Sequence, residues 1–287
     1  MRRSLNIQQE ILKSLVAKTS TLRPRVPAFR QDCDTMFSNF WQEPIEHFPA
    51  SYGFRCCRIF NAEGQIRPKI PSHILFSQRE LKAWFRLPAQ AKRRREWLLG
   101  RLAAKDAIRL LLKEQHGLEL CPSTIEIATD EHGRPIVWGE LVESLGCRLS
   151  ISIAHSGGGA VAIAGDCDDH NGVGIDIERV GQSPDGLERI TLSIRERALL
   201  STVPPSKRDE WFLRLWCAKE AVAKAVGRGM LGGPLSLVVQ NLEEDVGRVD
   251  VTLAGALARQ LPLYAHTLLT AYTGREDAYV FASSLTN

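Results

Sequence analysis

Apolar residues recur along the chain with the spacing of helices in some segments and of strands in others. A long helix is predicted over residues 89–115, because apolar residues return there every three or four positions, and a second over 207–226. Shorter helices are predicted to begin at Ser77 and Ser193, each followed three residues later by the glutamate of a capping box. Apolar segments predict strands at 54–60, 124–128, 135–138, within 149–165, around 176, and at 235–240, 248–253, 261–272 and 277–283.

The C-terminal half of the chain repeats features of the N-terminal half at an offset of about 114 residues. Trp97 aligns with Trp211, and Lys105-Asp106 aligns with Lys219-Glu220, in the same order within the two long helices. The repeat predicts an α+β fold with a pseudo-two-fold duplication, in which two similar α/β halves pack around a central cleft. The predicted divisions are an N-terminal extension of unassigned function at 1–50, an N-terminal half at 51–165 and a C-terminal half at 166–287.

Two carboxylates lie on one face of the predicted strand around residue 176. Side chains alternate between the faces of a strand, so Asp176 and Glu178 share a face with Gly174, which is expected to leave room beside them. Two adjacent carboxylates repel each other unless a proton or a cation lies between them. The pattern therefore indicates either a magnesium site in the C-terminal half or an ordinary strand whose polar face contacts solvent.

The helix at 207–226 carries a third carboxylate. Glu220 and Lys224 are neighbours one turn apart, on the side of the helix opposite its main apolar stripe. A surface salt bridge would explain this pair, but Leu213 and Cys217 lie on the same side and indicate that another part of the protein covers it. A covered Glu-Lys pair that faces the acidic strand is a candidate catalytic centre.

Basic residues and a glycine-rich loop are candidate phosphate ligands. Arg94, Arg101 and Lys105 project together from one side of the first long helix, which is either a binding surface or a solvated face. His155 precedes a Ser-Gly-Gly-Gly sequence whose backbone N–H groups could approach phosphate oxygens, although such sequences also occur in ordinary hairpins. The net charge of +4 suits an anionic ligand and does not require nucleic acid.

Cysteine spacing and hydropathy bear on the compartment. The seven cysteines are odd in number and contain no Cys-x-x-Cys spacing, which favours a reducing environment over a disulfide framework or a zinc ribbon. The chain contains no long apolar run of the kind that spans a membrane, and no apolar region of a secretory signal follows the basic Met1-Arg2-Arg3 start. We therefore expect a cytoplasmic protein that does not enter a membrane.

Two sequence motifs identify a family resemblance. The segments GVGIDIERV (172–180) and WCAKEAVAK (216–224), about forty residues apart, resemble the two signature motifs of the 4'-phosphopantetheinyl transferases. Supporting similarities are WLLGR (97–101), HGRPIV (132–137) and ISIAHS (151–156). The two-half layout resembles the larger, monomeric Sfp-type members. These enzymes transfer the 4'-phosphopantetheine arm of coenzyme A to a serine of an apo carrier protein and release adenosine 3',5'-bisphosphate.

The resemblance implies roles for residues in both halves. The implied ligands of Mg²⁺, for which Mn²⁺ is an alternative ion, are Asp176, Glu178 and Glu220. The residues assigned to coenzyme A, in part from helical geometry, are Arg94, Arg101, Lys105, His155, Ser156, Lys219 and Lys224. The implied catalytic residues are Glu220, Lys224, Asp176 and His155, with Glu220 as the candidate general base.

Two other functions fit parts of the pattern. A metal-dependent nuclease would also combine carboxylates with a basic helix, and it would bind nucleic acid in a salt-sensitive manner. A non-catalytic module could bind acidic carrier proteins through Arg94, Arg101 and Lys105. Both motifs and the repeat favour the transferase, whose expected partners are coenzyme A and an apo acyl or peptidyl carrier domain, without nucleic acid or membrane. We expect a monomer or a domain of a larger synthase.

Overall fold

The computed structural model describes residues 54–60, 75–88, 91–138, 148–167, 172–181 and 186–286, so the predicted extension at 1–50 lies outside the described residues. The helices are α1 (Gln78–Arg86), α2 (Ala91–His116), α3 (Leu187–Thr191), α4 (Ile194–Leu200), α5 (Arg208–Ala225) and α6 (Gly255–Gln260). The strands are β1 (Phe54–Phe60), β2 (Glu126–Thr129), β3 (Pro135–Trp138), β4 (Leu149–Ser156), β5 (Gly159–Asp166), β6 (Gly172–Arg179), β7 (Leu237–Glu243), β8 (Arg248–Leu253), β9 (Leu269–Glu276) and β10 (Tyr279–Thr286). Helices and sheets are mixed along the chain, which confirms the α+β class.

The strands form one antiparallel sheet in the N-terminal half and another in the C-terminal half. One sheet has the order β1-β5-β4, and the β2-β3 hairpin lies beside it, because β3 packs next to β4. The other sheet has five strands in the order β6-β10-β9-β8-β7. The long helix α2 packs on β1, β5 and β4, and the long helix α5 packs on β6, β10 and β9. Each long helix thus covers one face of its own sheet.

An apolar layer joins the two sheets. Ile175 and Ile177 on β6 belong to one buried cluster with Val161 and Ile163 on β5. At the same contact the Ser152 hydroxyl accepts a hydrogen bond of 3.2 Å from the backbone N–H of Ile175. The apolar face of β6 is therefore fixed against the N-terminal sheet, and its other face is left to pack on α5.

A completely buried lysine ties α2 to its surroundings. The Lys105 ammonium donates to a Glu80 carboxylate oxygen at 2.5 Å and to the carbonyl oxygens of Leu75 and Pro122. Glu80 is the glutamate of the capping box at Ser77, and its other oxygen accepts the backbone N–H of Ile127 on β2. We call the Lys105–Glu80 pair the first hub, because it connects α1, α2 and β2.

The same arrangement occurs around α5. The Lys219 ammonium, also without exposed surface, donates to Glu196 at 2.7 Å and to the carbonyl oxygens of Thr191 and Pro234. Glu196 is the glutamate of the second capping box, and it accepts the backbone N–H of Val239 on β7 at 2.8 Å. We call the Lys219–Glu196 pair the second hub. Burial lowers the pKa of both hub lysines, against the effect of their carboxylate partners.

The predicted elements agree with the structure except at β9, which begins at Leu269 and not near 261, and in two short helices. Both capping boxes are present, at Ser77 and Ser193. At the start of α5 no side chain caps the helix, and a 3-10 turn at Pro205–Lys207 precedes it. The short helices α3 and α6 were not predicted, since five or six residues are too few for a periodic apolar stripe.

Candidate active site

Strand β6 presents its acidic face to α5 and not to solvent. Asp176 and Glu178 alternate with the apolar residues of the strand, as predicted, and Asp176 is only 7% exposed. Cys217 of α5 lies beside this face, where burial first and then the nearby carboxylates raise the pKa of its thiol. Asp176 therefore lies where charge is weakly screened, whereas Glu178 is partly exposed.

Gly174 allows the close approach of β6 and α5. A Cβ atom at this position would overlap the carbonyl oxygen of Ala221 and would approach the backbone nitrogen of Ala225 to 2.7 Å. The expectation that Gly174 leaves room beside the acids is therefore corrected, since helix backbone fills that space. The absence of a side chain brings the residues of α5 within reach of Asp176.

Lys224 neutralises one oxygen of Asp176. Its ammonium lies 2.7 Å from Asp176 Oδ1 and also donates to the carbonyl oxygen of Ile175 at 3.0 Å. The second oxygen, Asp176 Oδ2, is buried and has no hydrogen-bond partner among the described residues. A buried carboxylate oxygen without a partner is costly, so a ligand that binds there would relieve an unfavourable interaction.

Glu178 and Glu220 add negative charge to the same site. The Ser156 hydroxyl donates to Glu178 at 2.7 Å, and the Trp216 side chain forms a second hydrogen bond with Glu178. Burial is the main cause that raises the pKa of Glu178 and of Glu220, and Asp176 raises both further. Lys224 opposes these effects but does not cancel them. The site thus carries more negative charge than its one lysine balances.

The acidic face fits a hard cation as a partial set of ligands. In the described ranges, no group of three or more His, Cys, Asp or Glu side chains forms a metal-holding arrangement by itself. Magnesium commonly takes one or two protein carboxylates and completes its coordination with water and substrate phosphates. The unpartnered Asp176 Oδ2 and the raised pKa values of Glu178 and Glu220 match that use.

A cavity of about 660 Å³ lies beside α2. Its charged and aromatic lining comes from Lys92, Arg93, Trp97, Arg101 and His155, together with one acidic residue, Glu96. The Arg101 guanidinium lies over the Trp97 ring at 3.9 Å, and burial lowers its pKa. Arg101 Nε is buried and has no hydrogen-bond partner among the described residues. The cavity therefore combines cationic groups with an aromatic surface, a combination that suits a nucleotide.

A second, smaller cavity adjoins the first and extends to α5. It measures about 360 Å³, includes Arg134 and Lys224 in its lining, and shares Gly133, Pro135 and Ile153 with the first cavity. The turn between β2 and β3 contributes Gly133 to the lining of both cavities. Together they lead from the basic lining near α2 to the lysine that pairs with Asp176.

The structure does not bring Lys105 or Lys219 to either cavity. Both ammonium groups are enclosed by carboxylate and carbonyl oxygens of the two hubs. Helical geometry correctly grouped Lys105 with Arg101, but α1 and its carboxylate cover that end of the helix face. The assignment of both lysines to coenzyme A is therefore corrected: they are structural cations.

Arg94 and Ser156 also have partners other than a ligand. Arg94 donates to the carbonyl oxygen of Leu87 at 3.0 Å and lies over the Trp84 ring, so it ties α2 to the end of α1. Ser156 is turned toward Glu178 and orients that carboxylate. Neither residue lines the two cavities described above.

The glycine-rich sequence after His155 forms a tight hairpin turn. His155 and Ser156 belong to β4, and a two-residue turn at Gly157–Gly158 with φ values of 55° and 89° leads directly into β5. The Tyr279 hydroxyl donates to the carbonyl oxygen of Gly157 at 2.8 Å, which fixes this turn against β10. Nothing in the sequence indicated a role for Tyr279. A role for Trp216 could have been inferred, because it lies one helical turn before Glu220.

Comparison with known proteins shows the family of the chain. The family model of the 4'-phosphopantetheinyl transferase superfamily matches residues 172–280. The 4'-phosphopantetheinyl transferase psf-1 of Bacillus pumilus is 30% identical over 185 residues, which are 64% of this chain and 70% of that protein. The chain belongs to the 4'-phosphopantetheinyl transferase superfamily. The prediction of the family, and with it the enzyme class, is confirmed.

Other members differ in how much of the chain they match. A 4'-phosphopantetheinyl transferase of Bacillus subtilis is 28% identical over 146 residues, 51% of this chain and 59% of its own length. A solved structure described as the Chronobacterium ammoniagenes ACPS-CoA complex is 26% identical, with a TM-score of 0.32 over 39% of this chain and 92% of its own. The superfamily match includes the four charged residues of the acidic site but not α2 with its cavity. No helix in the described part of the chain is long and apolar enough to cross a membrane.

Proposed function

We propose that this phosphopantetheinyl transferase moves the 4'-phosphopantetheine arm of coenzyme A to a serine of an apo acyl or peptidyl carrier protein. The observation that carries the proposal is the enclosed acidic face of β6 against α5, where Asp176 Oδ2 lacks a partner. In the reaction, the serine oxygen forms a bond to the β-phosphorus of coenzyme A. The bond to the leaving phosphate breaks, and adenosine 3',5'-bisphosphate is released.

Asp176, Glu178 and Glu220 would hold Mg²⁺, or Mn²⁺ in its place, on the diphosphate of coenzyme A. A bound Mg²⁺ supplies electrostatic stabilisation to the phosphoryl oxygens as negative charge develops. The protein holds Asp176 in place through Lys224 and Glu178 through Ser156. Both carboxylates are thereby oriented before any ligand binds, which reduces the reorganisation that the reaction requires.

Glu220 is the proposed general base for the serine proton. Among the described residues, none forms a hydrogen bond to its carboxylate that would compete with an incoming hydroxyl. Burial raises the pKa of Glu220 toward the working range of a base. Lys224 is the proposed donor to the phosphate oxygens, because its ammonium lies at the edge of the second cavity. Its pairing with Asp176 at 2.7 Å holds the ammonium there.

The nucleotide of coenzyme A is proposed to occupy the larger cavity. Its volume of about 660 Å³ lies within the ordinary range of small-molecule sites. Arg101 and His155 keep their proposed role as phosphate ligands, since both line the cavity. Lys92 and Arg93 join them, in place of Arg94, Lys105 and Lys219, which have other partners.

The two halves are proposed to derive from a duplication, with the division near residue 165. The strand order β1-β5-β4 followed by β3 and β2 has the same sequence of connections as β6-β10-β9-β8-β7. Each half also contains a hub in which the glutamate of a capping box binds a buried lysine. Equivalent hubs in equivalent topologies support a common origin of the halves.

The experiment that tests the function is the intact mass of an apo acyl carrier protein after incubation with this protein, coenzyme A and Mg²⁺. We expect a gain equal to one phosphopantetheine arm, together with adenosine 3',5'-bisphosphate in solution. EDTA should prevent the gain, and a serine-to-alanine carrier should not be modified. Coenzyme A binding without any gain on several carriers would contradict transfer and favour a binding module. Cleavage of nucleic acid without coenzyme A would favour the nuclease.

A further inference from the structure

The two hubs have matching contacts but lie beside different parts of the proposed site. In both, a lysine without exposed surface binds a capping-box glutamate and two backbone carbonyl oxygens. In both, that glutamate also accepts a backbone N–H from a neighbouring strand. A buried ion pair is weak evidence for a gain in stability, because the cost of removing two charges from water offsets their attraction. Their position relative to the site indicates another role.

The second hub fixes the segment of α5 that carries the acid. Lys219 directly precedes Glu220, and its three acceptors come from Thr191, Glu196 and Pro234, which lie outside the helix. Glu196 is itself held by the backbone N–H groups of Ser193 and Val239 at 2.6 and 2.8 Å. Rotation or sliding of α5 would break these bonds at the position next to Glu220.

The first hub reaches the larger cavity through an arginine. Arg101 lies one helical turn before Lys105, and its Nε is 3.9 Å from the second oxygen of Glu80. The position that aligns with Arg101 in α5 is the buried Leu215, so the second hub makes no equivalent contact. Glu80 is thus shared between the hub and a residue that lines the cavity.

We propose that the two hubs are positioning devices with separate targets, the second for Glu220 in the acidic site and the first for Arg101 in the nucleotide cavity. This inference rests on the proposed function. Lys219 and Glu196 act on metal binding through the placement of Glu220, and Lys105 and Glu80 act on coenzyme A binding through the placement of Arg101. None of the four hub residues touches a substrate.

Matched variants of the two hubs test this division. Lys219→Met with Glu196→Gln removes the charges of the second hub and keeps an acceptor for Val239, and Lys105→Met with Glu80→Gln does the same in the first hub. If a double variant does not fold, the single variants Glu196→Gln and Glu80→Gln, which change no side-chain shape, replace it. Mn²⁺ binding is measured by electron paramagnetic resonance on protein saturated with coenzyme A, and coenzyme A binding by calorimetry in EDTA.

The second-hub variant should bind Mn²⁺ about tenfold more weakly, as expected when a group that orients a metal ligand is lost, with coenzyme A affinity in EDTA unchanged. The first-hub variant should show the reverse, a loss of about tenfold in coenzyme A affinity with Mn²⁺ binding unchanged. Melting temperatures of the two variants should fall by similar amounts. A stability role alone predicts no such crossed pattern.

Equal changes in both affinities for both variants, or no change in either, would overturn the inference. The result is separable from the proposed function, because wild-type transfer to the apo carrier is measured independently. If the wild type transfers the arm but the two hub variants do not lose different affinities, only the positioning role is rejected. A wild type that binds neither Mn²⁺ nor coenzyme A rejects the proposed function and the inference with it.

Discussion

The two long helices differ most in the residue that follows the hub lysine. In α2 this residue is Asp106, which pairs with Arg109 one turn along the same helix at 3.1 Å. In α5 it is Glu220, whose charged neighbours include the carboxylates of β6. The aspartate is neutralised within its own helix, whereas the glutamate belongs to a group of acids with an unbalanced charge.

This difference shows how two similar halves can differ at one position, where one has a paired aspartate and the other has an acid available to a ligand. The hubs hold the two helices in the same way, so the distinction lies in a few neighbouring side chains. The position that aligns with Arg109 is the buried Ala223, which carries no charge. Without an arginine there, the acids of the C-terminal half remain available to a cation or to a hydroxyl group.

The largest expected effect, a loss of transfer activity at the acidic site, is that of Asp176→Asn. The change removes the charge from the carboxylate whose Oδ2 lacks a partner, and transfer activity should fall by about 1,000-fold. The side chain keeps its size, so the protein should remain folded by circular dichroism. Asp209→Asn, in the exposed first turn of α5, is the matched control and should retain full activity. An active Asp176→Asn protein would place the metal elsewhere.

Glu220→Gln should separate activity from stability. Loss of the proposed base lowers kcat by about 100-fold, within the range for general acid–base groups. Loss of one of several like charges in an enclosed site also relieves repulsion, so the melting temperature should stay equal or rise. Measured kcat and thermal unfolding of the same preparation decide the point. A protein that melts earlier while kcat is preserved would show that Glu220 has the structural role of Asp106.

Gly174→Ala tests whether the acidic site depends on close contact between β6 and α5. The new Cβ would overlap the Ala221 carbonyl oxygen, and overpacking of this kind costs about 3 kcal/mol of unfolding free energy. Activity should fall together with stability, because α5 carries Glu220 and Lys224. Urea denaturation gives the free energy. A variant with wild-type stability and activity would mean that the helix can move without harm to the site.

The sequence predicted which acidic side chains lie together better than it predicted which basic side chains do. Asp176, Glu178, Glu220 and Lys224 lie on regular elements, where strand alternation and helical spacing determine which side chains share a face. The fold class followed from the same periodicity. Within the acidic site, only the close contact at Gly174 was interpreted in the wrong sense, since spacing along one strand does not show what packs against it.

The basic residues could not be assigned from periodicity alone. Helical spacing placed Arg101 and Lys105 on one face, but it could not show that Glu80, from another helix, encloses the lysine and leaves the arginine at the cavity. The clue was present in the aligned capping boxes and lysines, because the same pair recurs in both halves. Tyr279 binds Gly157 from a distant strand, and such contacts have no local pattern.

The smallest expected effect concerns pH and Asp106. Burial raises the pKa of Asp106 to about 6, although Arg109 acts in the opposite direction. Because the folded state binds this proton more tightly than the unfolded state, Asp106 adds stability as pH falls through about 6, and the gain from about pH 7 to pH 5 is about 1 kcal/mol. Asp106→Asn should lose this part of the pH dependence, measured as the difference in unfolding free energy between wild type and variant at several pH values. If the wild type instead gained stability relative to the variant as pH rises, the sign would be wrong. That result would mean that Arg109 keeps Asp106 ionised and that the two form a stabilising ion pair.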